Sequence, residues 1–218
     1  VVGGGTNSLQ HTIRSMKMLE PYGVDAFLIV VPYYNKPTQE GQYQYFKAVA
    51  ESTDKPIVLY NVPGRTGVNM TAETCLRLAQ IHNIVAVKEA SSKREQILEI
   101  LQNRPEGFAV LSGNDDETLD LMQNGAEGVI SVASNIVPSM VADLTHAMLE
   151  GNEEAAQKLH ETLSPLFRDC FIESNPIPTK AALSAMGFIQ NECRLPLVSA
   201  SQGAYGQMLG TIKDLGLL

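Results

Sequence analysis

Short apolar runs alternate along the chain with stretches in which apolar residues recur every three or four positions. The runs are rich in Val and Ile and show little internal alternation, as expected for strands that are buried on both faces of a parallel sheet. They predict six strands, at residues 1–5, 26–31, 57–60, 84–88, 108–112 and 128–132. The intervening stretches predict helices at residues 9–22, 43–52, 71–81, 95–102, 117–124 and 140–149.

The regular spacing of these elements indicates a repeated βα unit. The strand starts at Ile57, Ile84 and Phe108 are 27 and 24 residues apart, which is the spacing of one strand, one helix and their loops. Six consecutive units favour an α/β fold of the TIM (β/α)8 type over a doubly wound sheet. A closed barrel has eight strands and the sequence starts without Met, so we expect an incomplete barrel whose first two units are absent.

The pattern changes after Gly151. Helices are predicted at residues 153–168, 179–185 and 202–215, and prolines separate them without a further strand. We therefore predict two regions. Residues 1–150 form a partial β/α barrel, and residues 151–218 form a C-terminal helical extension.

The composition is that of an ordinary globular protein, with 44% hydrophobic and 18% charged residues. The net charge of −8 and the lack of a basic stripe argue against nucleic acid as a partner. No apolar run approaches the roughly 18 residues that span a membrane. The three cysteines are widely spaced and form no metal-ligand pattern. We therefore expect no metal site, and reduced thiols in a cytoplasmic protein.

Candidate catalytic groups lie at the C-terminal ends of the strands, where β/α barrels place their active sites. Lys88 ends an apolar strand, and burial there disfavours the ammonium and lowers the pKa. The neutral amine then attacks a ketone and forms a Schiff base; the alternative is a lysine that reaches solvent or pairs with Glu89. Tyr60 ends the preceding strand, about 4.8 Å away. It either relays protons or only caps the core.

Other polar residues after the strands allow more than one interpretation. Arg65, in a Pro-Gly loop, presents donors that fit a carboxylate, but it also fits a surface turn. Asp115 and Asp116 are interpreted as N-caps of a helix at Glu117 rather than as a metal site. The glycines at 3–5 resemble a phosphate-binding loop only weakly, because the P-loop lysine and the GxGxxG spacing are missing.

Together these segments resemble the dihydrodipicolinate synthase and N-acetylneuraminate lyase family. The resemblance runs over the whole chain and rests on the order and spacing of six motifs. They are Pro32-Tyr-Tyr-Asn35, Tyr60-Asn-Val-Pro-Gly-Arg-Thr-Gly67, Val87-Lys-Glu-Ala90, Ser112-Gly-Asn-Asp115, Gly128-Val-Ile-Ser131 and Asn175-Pro-Ile-Pro178. The resemblance implies a Schiff-base aldolase on a β/α barrel that acts on pyruvate without a cofactor.

The resemblance also implies the roles of three side chains. Lys88 forms the Schiff base with pyruvate, and Tyr60 relays protons to and from it. Tyr34 matches the tyrosine that such enzymes insert into a neighbouring subunit's site to complete a Tyr-Thr-Tyr relay. A homo-oligomer is therefore implied, with a tetramer built as a dimer of dimers as the usual form.

The substrates are implied by Arg65 together with residues 33–35. These match the members that condense pyruvate with L-aspartate 4-semialdehyde to 4-hydroxy-tetrahydrodipicolinate, in lysine and diaminopimelate biosynthesis. Arg65 holds the semialdehyde carboxylate, the backbone of Ile130 lines the pyruvate pocket, and Gly113 lies beside it. The alternatives are another pyruvate-dependent lyase of the family, acting on a sialic or 2-keto-3-deoxy acid, a non-catalytic barrel subunit, and a phosphate-binding barrel.

Two features leave questions open. The family's Gly-Thr-Thr-Gly-Glu segment, which supplies the relay threonine and grips the pyruvate carboxylate, does not occur in this sequence. We therefore expect the 218-residue chain alone to have little activity. Gly5, Asn7 and Tyr33 match positions where lysine inhibits some members, but His11 replaces the Glu of the sensitive ones. Lysine inhibition therefore stays undecided.

Overall fold

The computed structural model describes all 218 residues and contains one sheet of six parallel strands. The strands are β1 (Val2–Gly3), β2 (Phe27–Val30), β3 (Ile57–Asn61), β4 (Ile84–Glu89), β5 (Ala109–Ser112) and β6 (Gly128–Val129). They are hydrogen-bonded in sequence order from β1 to β6. Helices follow the strands along the chain, so the fold is an incomplete (β/α)8 barrel, and the predicted fold class is confirmed.

The chain divides into two compact units. The first comprises Val1–Gly113 and Asn124–Ile130 and holds the whole sheet. Its helices are α1 (Leu9–Leu19), α2 (Gln39–Ala50), α3 (Pro63–Thr66), α4 (Ala72–Leu78) and α5 (Arg94–Asn103). The second comprises Asn114–Gln123 and Ser131–Leu218. Its helices are α6 (Thr118–Gln123), α7 (Pro138–Leu149), α8 (Glu153–Asp169), α9 (Ile177–Ala185) and α10 (Gln202–Asp214).

The core of the first unit explains the apolar runs. Phe27, Ile29, Ile57, Leu59 and Val87 are fully buried. Neighbouring residues on one strand point to opposite faces of a sheet. Because Ile57, Val58 and Leu59 are buried in succession on β3, both faces of that strand are covered.

Helix N-termini in this unit follow the capping residues. Ser8, Thr38 and Thr71 each accept a backbone N–H of the first turn of α1, α2 and α4, so the predicted cap at Thr71 is confirmed. Helix α2 begins four residues before its predicted start at 43. Its first turn is polar and lacks the apolar period, although Gln42 is buried and donates a hydrogen bond to the Asn69 carbonyl.

The last predicted strand, at 128–132, is shorter in the structure. The N–H groups of Val132 and Ala133 donate to Asp115 Oδ2, both at 2.9 Å, and the chain enters a 3-10 turn at Ala133–Asn135. The interpretation of Asp115 and Asp116 as N-caps at Glu117 was wrong, because the Asp115 carboxylate instead caps this later turn. Asp115 therefore caps a turn that is close in space but 17 residues later in the sequence.

The predicted C-terminal helices are present as α8, α9 and α10. Asp169 at the end of α8 is buried and accepts hydrogen bonds from Thr211 and Gln207 of α10. Burial opposes its ionisation, but these bonds and Arg168 outweigh that effect and lower the pKa of Asp169. The division of the chain at residue 150 stays a prediction. None of the helices is both long and apolar enough to cross a membrane.

Candidate active site

Lys88 and Tyr60 lie side by side at the C-terminal ends of β4 and β3. They are paired in register, and Lys88 Nζ lies 4.3 Å from the centroid of the Tyr60 ring. The Lys88 side chain is only 8% exposed. Burial raises the pKa of the Tyr60 hydroxyl, while the charge of Arg65 opposes that rise. The predicted convergence of the lysine and the tyrosine is therefore seen, with the amine over the face of the ring.

Gly113 follows β5 and makes room for Lys88. Its N–H donates to the Glu89 carbonyl at 2.7 Å. A Cβ at this position would lie 2.7 Å from Ala90 Cβ and 3.0 Å from Lys88 Cε. Only glycine fits without displacing the lysine side chain. Gly113, which the sequence placed beside Ile130, therefore also leaves the space that the Lys88 side chain occupies.

Ile130 extends the pairing of β5 and β6 beyond the end of β6. Its N–H donates to the Ser112 carbonyl at 2.9 Å, and its side chain is half-buried. Ser112 is in turn the register partner of Glu89, the residue after Lys88. The Ile130 backbone therefore lies at the same edge of the sheet as Lys88, two strands away.

Arg65 lies on α3, a single helical turn that the sequence predicted as loop. Thr66 stabilises the turn, because its hydroxyl donates to the carbonyls of Val62 and Val68. Gly67 ends it with a φ of 76°, a left-handed conformation that favours glycine. The Arg65 side chain is exposed and acts electrostatically on Tyr60. Arg65 therefore lies close enough for its charge to act on Tyr60.

Tyr33 and Tyr34 lie in the loop after β2. Tyr34 is 88% exposed and has a φ of 71°, which is unusual for a residue with a Cβ. Its N–H donates to the Thr66 carbonyl at 3.2 Å, so this loop contacts the turn that carries Arg65.

The candidate regulatory positions lie on the neighbouring β1 side. Gly5 packs against β2, where a Cβ would lie 2.7 Å from the Val30 nitrogen. The Asn7 carbonyl accepts a hydrogen bond from Asn35 Nδ2 at 3.0 Å, which joins it to the loop of Tyr33. His11 is exposed on α1. Close backbone packing accounts for the glycine at position 5 without any ligand.

Two buried polar residues next to the site pair with each other, whereas the sequence left Asn61 unassigned and considered Glu89 only as a partner of Lys88. Asn61 and Glu89 directly follow Tyr60 and Lys88, are themselves register partners, and are fully buried. Asn61 Nδ2 donates to both carboxylate oxygens of Glu89, at 3.1 and 3.2 Å. Burial raises the pKa of the Glu89 carboxyl, against the effect of its hydrogen bonds. The one signal in the sequence was a polar residue immediately after each catalytic candidate.

A family model and solved structures match the chain over nearly its whole length. The model of the dihydrodipicolinate synthetase family matches residues 1–215. The 4-hydroxy-tetrahydrodipicolinate synthase of Thermotoga neapolitana is 48% identical over 222 residues, which cover 100% of this chain and 76% of the relative. The crystal structure of dihydrodipicolinate synthase from Thermotoga maritima has a TM-score of 0.98 and 47% identity and covers 100% of this chain and 76% of its own.

A monomeric variant of dihydrodipicolinate synthase is similar to the same degree, with a TM-score of 0.98 and 47% identity, over 100% of this chain and 74% of the variant. The family model covers nearly the whole chain, and the fold agrees with that of solved members over all of it. The chain belongs to the dihydrodipicolinate synthetase family.

Proposed function

We propose that the protein condenses pyruvate with L-aspartate 4-semialdehyde to 4-hydroxy-tetrahydrodipicolinate through a Schiff base on Lys88. The observation that carries the proposal is a nearly buried lysine at a strand end, with its amine against a tyrosine. Burial disfavours the charged ammonium and so favours the nucleophilic amine. The names of the relatives support the same reaction.

The chemistry follows from the amine. Lys88 Nζ attacks the keto carbon of pyruvate, and loss of water gives an iminium. The iminium withdraws electrons from the methyl carbon, which loses a proton and becomes an enamine. The enamine carbon bonds to the aldehyde carbon of the second substrate. The aldehyde π bond breaks, its oxygen takes up a proton to become the hydroxyl group, and the enamine returns to the iminium. The amino group of that substrate then displaces Lys88 from the imine carbon, which closes the ring and frees the enzyme.

Tyr60 and Arg65 take the supporting roles in this proposal. A tyrosine hydroxyl is protonated at neutral pH, and burial raises the pKa of Tyr60 further, so it is able to donate a proton to the leaving water. Arg65 presents a guanidinium at the mouth of the site, where its fork of donors fits a carboxylate. Tyr34 and the backbone of Ile130 complete the site, and the covalent chemistry on Lys88 needs no cofactor.

Reductive trapping tests the proposal directly. The protein is incubated with pyruvate and sodium borohydride, and the modified residue is mapped by mass spectrometry. We expect a reduced pyruvate adduct on Lys88 and none in Lys88→Arg, whereas Lys93→Arg, which changes an exposed lysine, is trapped like the wild type. An unmodified Lys88 in a chain that turns over semialdehyde would refute the proposal.

Turnover with different aldehydes separates the alternatives within the family. A sialic or 2-keto-3-deoxy acid lyase would cleave those sugars and leave the semialdehyde unused. A non-catalytic subunit or a phosphate-binding barrel would give no adduct with pyruvate at all. Arg65 favours the semialdehyde, because a small substrate with a carboxylate has use for a guanidinium at the mouth of the site.

We also propose that the 218-residue chain has little activity by itself and that the active form is a homo-oligomer. By its resemblance to the family, the chain lacks the Gly-Thr-Thr-Gly-Glu segment, which supplies the relay threonine and the amides that bind the pyruvate carboxylate. An extended chain, which carries at its N-terminus the preceding residues of the Thermotoga neapolitana relative, would supply them. The exposed Tyr34 ring is suited to enter a second copy, and sedimentation of the extended chain with Tyr34 and with Tyr34→Ala tests that role.

A further inference from the structure

Glu89 is a buried carboxyl group that the proposed reaction does not use. It is 0% exposed, and its hydrogen-bond partners are the Ser91 N–H at 2.9 Å and the side-chain amides of Asn61 and Gln96. Burial, and then the charge of Glu89, raise the pKa of the Cys75 thiol on α4. Burying a carboxyl group whose partners are neutral N–H groups costs free energy. We therefore asked which other part of the site Glu89 contacts.

Through Asn61, Glu89 is connected to the loop that carries Arg65, because the Asn61 side chain binds the backbone at the far end of that loop. Its Oδ1 accepts the Met70 N–H at 3.0 Å, and its Nδ2 donates to the Met70 carbonyl at 3.2 Å. The chain thus leaves β3 at Asn61, forms the turn with Arg65, and returns to the same side chain nine residues later. Both backbone groups of Met70 are fixed by one amide, so the ends of the loop are held together.

Glu89 determines which way this amide faces. With a carboxylate on one side, Asn61 must present its N–H groups there, and this leaves its oxygen for the Met70 N–H. A reversed amide would place oxygen against oxygen at Glu89 and N–H against N–H at Met70. Gln96 on α5 reinforces the arrangement, because its Nε2 donates to Glu89 at 3.4 Å and to the Met70 carbonyl at 3.1 Å.

We infer that Glu89 is a positioning residue that acts through Asn61 to hold the 62–70 loop, so that Arg65 is presented to the second substrate. Its neighbour in sequence, Lys88, bonds the first substrate. The inference rests on the proposed function for the role of Arg65. The hold of Glu89 on the loop does not depend on that function.

Amide hydrogen exchange in the 218-residue chain tests the hold on the loop. We expect Glu89→Gln to speed exchange in the peptide of residues 62–70 about tenfold, because the new NH2 group faces N–H donors where Glu89 has an acceptor oxygen. Asn83→Ser is the matched control, since it removes a buried amide at the other end of β4. If Glu89→Gln does not fold, Gln96→Leu on a half-buried helix face takes its place. Unchanged exchange at 62–70 would overturn the inference.

Kinetics test whether the effect passes through Arg65, in whichever of the 218-residue and extended chains turns over. We expect Glu89→Gln to raise the KM for the semialdehyde about tenfold, with kcat and the KM for pyruvate within about twofold. In an Arg65→Ala background the same change should have no further effect on that KM, because the group it positions is gone.

The outcomes separate the two proposals. Equal rises of KM with and without Arg65, or a loss of kcat alone, would show that Glu89 does not act through Arg65. Failure of an extended chain that turns over semialdehyde to trap pyruvate on Lys88 would refute the proposed function, while the exchange experiment still decides whether Glu89 holds the loop. An adduct on Lys88 with unchanged exchange in Glu89→Gln would refute the inference about Glu89 alone.

Discussion

Lys88 and Glu89 are adjacent in sequence, but they serve different sides of β4. Successive residues of a strand point to opposite faces, so the lysine meets Tyr60 while the carboxyl group meets Asn61 and Gln96. The sequence predicted the first contact, because both residues end apolar runs on neighbouring parallel strands. It did not predict the second, which depends on where the 62–70 loop returns to the sheet.

Glu89 makes stability depend on pH in a definite direction. Its pKa is raised by burial, so its contribution to stability is complete below the unfolded-state pKa and is lost as the pH rises through the folded-state pKa. We expect the free energy of unfolding of Glu89→Gln minus that of the wild type to increase as the pH rises from about 4 to neutral. Urea denaturation across that range measures it, with Glu99→Gln on the exposed face of α5 as control. A difference that is constant with pH would contradict the expectation.

Gly113→Ala tests the steric fit around Lys88. The added methyl would meet Ala90 Cβ at 2.7 Å and Lys88 Cε at 3.0 Å, and overpacking of this kind costs about 1–3 kcal/mol. We expect the variant to fold with reduced stability and to lose trapping of pyruvate at least about tenfold. Gly203→Ala, at an exposed position in the first turn of α10 where a Cβ meets nothing within 4 Å, should trap normally. Normal trapping by Gly113→Ala would show that Lys88 has room to move.

At the scale of elements, apolar periodicity located the helices and strands but not all of their ends. Helix α2 starts four residues before its predicted start, because its polar first turn is held by the Thr38 cap and by contacts with Asn69. Helix α3 was missed altogether, since a four-residue turn is too short to show a period. Both discrepancies lie beside the Arg65 loop, where hydrogen bonds rather than apolar burial determine the backbone.

The contact of α8 with α10 depends on hydrogen bonds to Asp169. Thr211→Val keeps the shape of the side chain but removes one of the donors to the buried carboxylate. We expect a loss of about 1–3 kcal/mol in the free energy of unfolding, measured by thermal or urea denaturation. Thr162→Val, on the exposed face of α8, should change stability by less than about 0.5 kcal/mol.

The loss of stability at low pH gives an independent check on the contact of α8 with α10. Hydrogen bonds lower the pKa of Asp169 against the effect of burial, so its contribution is present above the unfolded-state pKa and is lost as the pH falls through the folded-state pKa. Thr211→Val should therefore lose less stability than the wild type on acidification. An equal loss in the two proteins would argue against this role of Asp169.

At the scale of the whole molecule, the spacing of the apolar runs was sufficient to predict six parallel strands and the helices after them. The proximity of Lys88 to Tyr60 followed from that fold alone, because the two residues lie at the ends of neighbouring strands. The roles of Arg65 and Tyr34 did not, since each lies in a loop whose path depends on bonds to the other loop.

Comparison of the 218-residue chain with the extended chain tests the proposed dependence on the relay segment. A positioned proton-transfer group contributes typically about 10²–10⁴-fold to rate, so we expect kcat/KM of the 218-residue chain to be lower by about that factor. A coupled assay with pyruvate and semialdehyde measures both chains, and Lys88→Arg in the extended chain sets the background. Equal activity would show that the residues present are sufficient.

The order of the sheet has a consequence for synthesis on the ribosome. From β2 onward, every strand pairs with the strand translated just before it. A newly emerged strand therefore finds its hydrogen-bonding edge already in place, and growth of the sheet keeps pace with translation, which proceeds at about 5–20 residues per second. Each of the five pairings from β1 to β6 therefore joins strands that leave the ribosome one after the other.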